Sequence, residues 1–513
     1  MYKSLYSKGD LRAHETEENK EEKKENQPVP ESSSSKSLLT YIFIGVVAEA
    51  RIAHGFFTSI TGPTLPSLAF NCDVSVGDVS SVFAWRGLGN VVGAIAAGII
   101  LPRLSSGKVK LLTIGGTLLV NGLFIAVIPL LTELWLLGTV AFATTLTSSY
   151  FTTGLESLVL NIFGAEGSAW VVAIYHAFFT IGGFLAPLLV QVFKSSDPLK
   201  ECVTNADNFT GYDKNYTSGN HFDLIDEDIL PPYLIVGVIV LASGIFTCVC
   251  AVWKLIEKLT TAKHDEVDMR GEDPWRKLLV FFMFTMFIHA CSANTDTIFQ
   301  SYIYYYALCS KAFDWDPVKA NYLNMIFWAA LTAGRFIGTY TTRKIRPTFL
   351  LLIYFIGSTI GISLILGVDG NIGGSSNDAI LYTATVLFGV FCALFYGSST
   401  SLCNSFTNLG LTYVFINNLG ASVGTMIAPT ITGKHIEDSP ISFAWACLVF
   451  CLGVLFFELF VHLEGFRIMD RISYSTSLKA FLHCSFPVEG FGETAQIRPE
   501  STESVIKKDS SLF

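Results

Sequence analysis

Polar residues recur at matched positions in two distant, strongly apolar stretches, and this duplication constrains the fold more than any other feature. In the first stretch, Tyr150 to Pro187, Gly154 stands seven residues before Asn161. His176 there stands six before Gly182 and eleven before Pro187. In the second stretch Gly397 stands seven before Asn404, and Asn418 stands six before Gly424 and eleven before Pro429. The offset is 242 to 243 residues throughout. Self-similarity at so long a period implies two related halves. Polar groups at equal depth in both halves imply a site between them.

The apolar stretches read as membrane spans. Hydrophobic residues make up 51% of the 513 positions and charged ones 15%, and the 41 phenylalanines outnumber the 34 lysines and arginines together. Runs of about 20 nearly uncharged apolar residues are membrane-spanning helices, and twelve can be counted. The first six cover about 38–60, 77–101, 110–131, 133–160, 168–193 and 231–256. The second six cover about 276–306, 318–342, 347–367, 377–404, 408–433 and 440–462. The expected fold is an all-α polytopic membrane protein with twelve transmembrane helices in two six-helix pseudo-symmetric halves, at 37–256 and 276–465. A charged, Ser-rich tail at 1–36, a polar linker at 257–275 and a second tail at 466–513 complete it. The first apolar run starts only near Leu38 and is too long for a signal peptide.

Basic residues set the orientation. Arg103, Lys108 and Lys110 follow span 2, Lys254 to Lys277 joins the halves, and Arg343, Lys344 and Arg346 follow span 8. All fall on one face, which is therefore cytoplasmic together with both termini. The longest opposite loop, 194–230, is acidic and carries two glycosylation sequons, at Asn208 and Asn215. Cys72, Cys202 and Cys309 fall in the outer segments, where a disulfide can form. The ending Ser510-Ser511-Leu512-Phe513 fits a loose PDZ-type ligand.

The net charge of −9 lies mostly in the tails and one loop, and no basic cluster suggests a nucleic-acid partner. Gly87 to Gly93 approximates a dinucleotide fingerprint but has one residue too many, no preceding strand, and a place inside a span. No catalytic triad, metal-ligand spacing or cofactor motif appears, so an enzyme is not expected.

Ionisable groups at membrane depth cost about 2.5–3.5 kcal/mol on insertion scales, so each invites a functional reading. Asp296 shares a helical face with Gln300 and Tyr304 at steps of four, a setting suited to a polyhydroxyl ligand. The alternative places it in an aromatic belt at the outer interface. Glu156 in span 4 can change charge during a transport cycle, or form a structural pair with an arginine such as Arg86. Helix geometry groups Gly154, Ser157 and Asn161 on one stripe, away from Glu156, and Gly397, Thr400 and Asn404 on its counterpart. These faces line a cavity or bond helix to helix. His176 and Asn418 contact a ligand or bond within their own halves, and Asn324 and Trp328 share a face of span 8. Glu49, Arg51 and His54 read as structural, and Arg86 and Arg335 as packing anchors or as contacts of a ligand or coupling site.

Two stretches carry a family resemblance. Gly89-x3-Gly93-x4-Gly98 followed by Arg103, Gly107 and Lys108 resembles the loop motif of the major facilitator superfamily after span 2, with Pro102 in place of its Asp. A reduced copy, Gly334-Arg335-x2-Gly338 with Arg343 and Arg346, lies in the second half. Gly62-Pro63-Thr64-Leu65, Asn161, His176, Gly182, Gly183 and Pro187 are similar to the animal sodium-dependent glucose transporter branch, distantly like fucose permeases. Ser157 replaces that branch's span-4 Asp, with Glu156 beside it, and Asp296 takes the place of its span-7 Glu. The resemblance implies a multi-pass plasma-membrane carrier of a hexose or similar small polyol working by alternating access. Sodium or protons would couple at Asp296 and Glu156, with substrate at Asn161, His176, Gln300, Tyr304, Asn324, Trp328, Asn404 and Asn418. A uniporter or small organic anion carrier, for which only Arg86, Arg335 and Arg51 are available as cavity cations, is the alternative within transporters, and a transporter-like sensor or scaffold the alternative outside them.

Overall fold

The computed structural model describes residues 33–193, 226–252, 274–310, 315–341, 347–369, 377–395 and 411–470, with a few residues between. The side chains of 33–40, 160–161, 163–173, 274–278, 411–414 and 465–470 are not described, nor are the positions of Gly397, Thr400 and Asn404. Asn208, Asn215, Cys202, the linker and the C-terminal Ser510 to Phe513 also lie outside the described residues.

Every long element is a helix. In chain order they are α1 (Ser33–Asn71), a short α2 (Val76–Val79), α3 (Val82–Ile100), α4 (Gly107–Val127), α5 (Leu134–Phe193) and α6 (Leu230–Val252). The second half supplies α7 (Pro274–Cys309), α8 (Pro317–Thr341), α9 (Pro347–Asp369), α10 (Asn377–Cys392), α11 (Leu411–Ile436) and α12 (Ser442–Asp470). Lipid offers no partner to a backbone amide, so a spanning segment must bond within itself, and helices result. Among the described residues, eight segments are long and apolar enough to cross a bilayer. The long helices α7, α8 and α11 fall outside that set because they carry much of the polar lining described below, and α10 is shorter. These segments accommodate the twelve expected spans.

The helical assignment over α5 is unbroken for 60 residues, yet it holds two antiparallel legs. A straight helix would separate Thr152 from Tyr175 by about 34 Å, whereas the Tyr175 hydroxyl donates to the Thr152 carbonyl at 2.9 Å. The legs are Leu134–Val159 and Ile174–Phe193, as spans 4 and 5 predict. One boundary differs from the sequence reading. Span 1 continues to Asn71 through Pro63 and Pro66, because membrane helices re-satisfy the carbonyls a proline frees. Helix α10 runs to Cys392, and beyond it residues 394–395, 398–399 and 402–403 are helical as well.

Helix pairings repeat between the halves. Helix α1 packs on α5 as α7 packs on α11, and α3 packs on α5 as α8 packs on α10. The repeat extends to single glycines. Gly182 lies against the Ile52 carbonyl and Gly424 against the Ala290 carbonyl, so a methyl group at either position would overlap backbone. Between the halves, α5 meets α8, α3 meets α11, and α1 meets α7.

Side chains sort by environment. On α3, Trp85, Leu88, Val92, Ile95 and Ile99 are exposed and form one outward stripe that suits acyl chains. The opposite face, with Phe83, Gly87 and Ala94, is buried. Most hydrogen bonds between the halves, among the described residues, lie towards the end of the bundle that bears Asn71 and Cys309. There Asn321 Nδ2 donates to the Pro187 carbonyl (2.9 Å) and to Gln191 Oε1 (2.8 Å). Tyr302 Oη reaches Ser80 Oγ at 3.1 Å, and Glu437 accepts from the backbone of Val76 and Gly77. The seam is closed at that end.

Candidate functional site

Helix α1 turns a polar edge to the interior. Arg51, His54, Thr58 and Thr61 follow one another at steps of three or four, so they share a face. Arg51 is 5% exposed. Its guanidinium stands over the ring of Tyr175 at 4.1 Å and that of Phe179 at 4.9 Å. One terminal nitrogen lies 3.1 Å from His54 Nδ1, and the other 3.4 Å from His176 Nδ1. Arginine only donates, so both Nδ1 atoms accept, which assigns the imidazole proton to Nε2. His176 Nε2 is directed at Glu156 Oε1 across 3.9 Å, an electrostatic contact longer than a hydrogen bond. Asn418 of α11 hydrogen-bonds Glu156 and donates to Thr153 Oγ1 at 3.3 Å. A chain Arg51–His176–Glu156–Asn418 therefore crosses from the first half to the second.

Magnitudes show why these groups assemble. Desolvating an ion costs several kcal/mol even after relaxation. Two cation–π contacts return about 0.5–2 kcal/mol each, too little alone. Glu156 adds an electrostatic attraction to Arg51, and the structural alternative of a Glu156–Arg86 pair does not form among the described residues. Glu156 faces this cluster although its azimuth departs from that of Gly154 and Ser157.

The second half contributes a matching set. Asp296 contacts Cys392 and feels the charge of Arg335, which also acts on His176 across the seam. Asp296 thus sits inside the bundle, away from any outer aromatic belt, and its Oδ1 is buried with no hydrogen-bond partner. His289 Nε2 lies 3.3 Å from Ser399 Oγ. Towards the closed end, Asn324 Nδ2 donates to the Gln300 carbonyl at 3.1 Å, which fixes its amide orientation. Gln300 Oε1, Asn324 Oδ1 and Trp328 Nε1 are then left buried and unpartnered. Gly62 of α1 packs directly on Gln300 and Asn324, and Gly183 on the Trp328 ring. Trp328 also meets Phe179 edge to face at 5.8 Å. Tyr304 is fully buried in the same helix as Asp296 and Gln300. The Asn161 side chain and Asn404 lie outside the described residues.

Residues 50–429 match the Major Facilitator Superfamily. The chain belongs to that superfamily. Superfamily members are transporters, not enzymes. Sodium-dependent glucose transporter 1 of Xenopus laevis is 24% identical over 386 residues, covering 73% of this chain and 72% of that protein. Sodium-dependent glucose transporter 1A of Mus musculus is 23% identical over 415 residues, covering 80% and 92%. Among solved structures, the outward-facing superfamily transporter FucP superposes with a TM-score of 0.55 at 14% identity, covering 82% of this chain and 98% of FucP. A bacterial homologue of the human lysosomal transporter Spinster, inward-facing and occupied, gives 0.54 at 14%, covering 86% and 98%. These likenesses show the fold.

Within the superfamily fold, the structure brings Glu156, His176 and Asn418 together, and Gln300, Asn324 and Trp328 together, at two levels of one seam. The structural reading of Arg51 and His54 misses their place in it. Their spacing of three was the available signal, since residues so spaced share a helix face. Asn294 and Asn417, each with a buried, unpartnered Oδ1, were missed as well.

Proposed function

We propose that the chain is a secondary active transporter that moves a hexose or similar small polyol across the plasma membrane by alternating access. The observation that carries this reading is the set of buried, unpartnered atoms where α1 and α5 meet α7 and α8: the acceptors Gln300 Oε1 and Asn324 Oδ1 and the donor Trp328 Nε1. A buried polar atom without a partner costs about 1–3 kcal/mol. Sugar hydroxyls would satisfy these atoms, and Trp328 offers a ring to a sugar C–H face. Asn161, His176, Tyr304, Asn404 and Asn418 complete the substrate contacts in this reading. The names of the glucose-transporter relatives support it.

Coupling to sodium or protons would run through Asp296 and Glu156. The Arg51–His176–Glu156 chain suits such a role. A proton arriving at His176 would convert Nδ1 from acceptor to donor, break its bond with Arg51, and strengthen its attraction to Glu156. Both termini would lie in the cytoplasm and residues 194–230 outside. Cys309, at the closed end of α7, is disulfide-bonded while Cys72 is free. A disulfide persists in an oxidising compartment, which favours the extracellular side for that end.

Uptake of labelled hexoses into proteoliposomes, with and without sodium or proton gradients, tests the proposal. Gradient-driven accumulation is expected, and Asp296→Asn should abolish it while sparing counterflow exchange. Exchange without accumulation would mean a uniporter. Absence of both uptake and exchange would refute transport of this substrate class.

A further inference from the structure

Arg86 is a cation inside the membrane domain that, among the described residues, no carboxylate balances. Its Nη1 donates a hydrogen bond to Thr61 Oγ1 at 2.9 Å, and its guanidinium stands 5.2 and 5.8 Å from the rings of Phe57 and Phe83. Tyr233, the other polar neighbour, bonds the Thr64 hydroxyl at 3.0 Å and carries no charge as a phenol. By contrast Arg51 interacts electrostatically with Glu156, and Arg335 with Asp296. Thr61 stands ten residues from the end of α1 at Asn71, about 15 Å along the axis, so this is not an arginine reaching to the interface. Two ring contacts fall short of the several kcal/mol that burying a lone charge costs.

The direction of Arg86 locates its missing partner. Arg86 lies on the face of α3 opposite the lipid stripe, yet it is partly exposed, and so is Asn90 one turn further on the same face. The space they meet is therefore within the protein. That space borders the seam, because Gly87 packs on Met426 of α11, and Gly62, next to Thr61, packs on Gln300 and Asn324.

The geometry points to Arg86, with Asn90, as the subsite for an anionic group of the substrate, which makes the cargo a polyhydroxy acid such as a hexuronate. This rests on the polyol reading above: hydroxyls go to Gln300 and Asn324, and a carboxylate goes to Arg86. One guanidinium balances one negative charge, which fits a carboxylate, and the planar fork can bind it through two parallel hydrogen bonds.

The test compares D-glucuronate, its uncharged methyl ester and D-glucose as competitors of uptake, and as stabilisers against heat, in chloride-free buffer. Wild-type protein should prefer glucuronate over both neutral sugars by about tenfold or more, the low end of what a charge-assisted hydrogen bond contributes. Arg86→Gln should bring the acid-to-hexose ratio to about one, and Arg86→Lys should retain part of the preference. Neutral hexoses engaging as well as glucuronate in wild-type protein would overturn the anionic subsite and leave the polyol reading intact, whether or not the variants fold. An unchanged ratio in Arg86→Gln would overturn it too. If acid, ester and hexose all fail to engage, the polyol reading falls and the subsite with it.

Discussion

Alternating access requires the contacts that close one end of the seam to break, and Glu437 makes the most separable of them. It follows α11 in the second half, and its Oε1 accepts from the amides of Val76 (2.6 Å) and Gly77 (3.3 Å) at the start of α2 in the first half. A hydrogen bond to a charged group contributes about 1.5–3 kcal/mol and a neutral one about 0.5–1.5 kcal/mol. The contact is partly buried, so the lower figures apply. Glu437→Gln keeps an acceptor and should cost the closed state about 0.5–1 kcal/mol, and Glu437→Ala about 1.5 kcal/mol. At 1.4 kcal/mol per tenfold, the closed-to-open ratio should fall about two- to fivefold and about tenfold respectively. Spin labels at Glu227 and Ser439, both exposed at this end on opposite halves, report the ratio through their distance distribution by pulsed electron resonance. Asp438→Asn, next door and without an inter-half bond among the described contacts, is the control. A distance distribution unchanged in Glu437→Ala would show that this contact does not hold the closed state.

Other expectations follow from single contacts. Arg51→Ala strands the buried Glu156 charge and should destabilise the protein by about 3–5 kcal/mol, with partial recovery in the double variant with Glu156→Gln, read by thermal unfolding in detergent. Gly62→Val places a side chain into the Gln300 carbonyl and the Asn324 amide; it should open the closed end and raise thiol-reagent access to a cysteine introduced at Thr61. Asn208→Gln with Asn215→Gln should abolish any glycosidase-sensitive gel shift; a shift that persists would place the modification elsewhere.

Some of this site was legible in one dimension and some was not. The pairing of His176 with Asn418, and of Gly182 with Gly424, could be read because duplication preserves spacing. Arg51 was not legible as a site residue, because its partner His176 lies 125 residues away and the axial register of two helices is written in neither. Arg86 was legible as a cation able either to anchor packing or to meet a ligand, and the packed bundle adds that, among the described residues, no carboxylate makes a hydrogen bond or ion pair with it.

The amino-acid sequence by itself determined the membrane class, the repeated halves and the placing of polar residues along each helix. Hydropathy, basic-residue bias and internal spacing are local properties that survive without knowledge of packing. Tertiary structure decided which charges meet, which acceptors stay empty, and which end of the seam is shut. Those depend on the rotation and sliding of each helix against its neighbours, and side-chain interlocking across the whole bundle sets them.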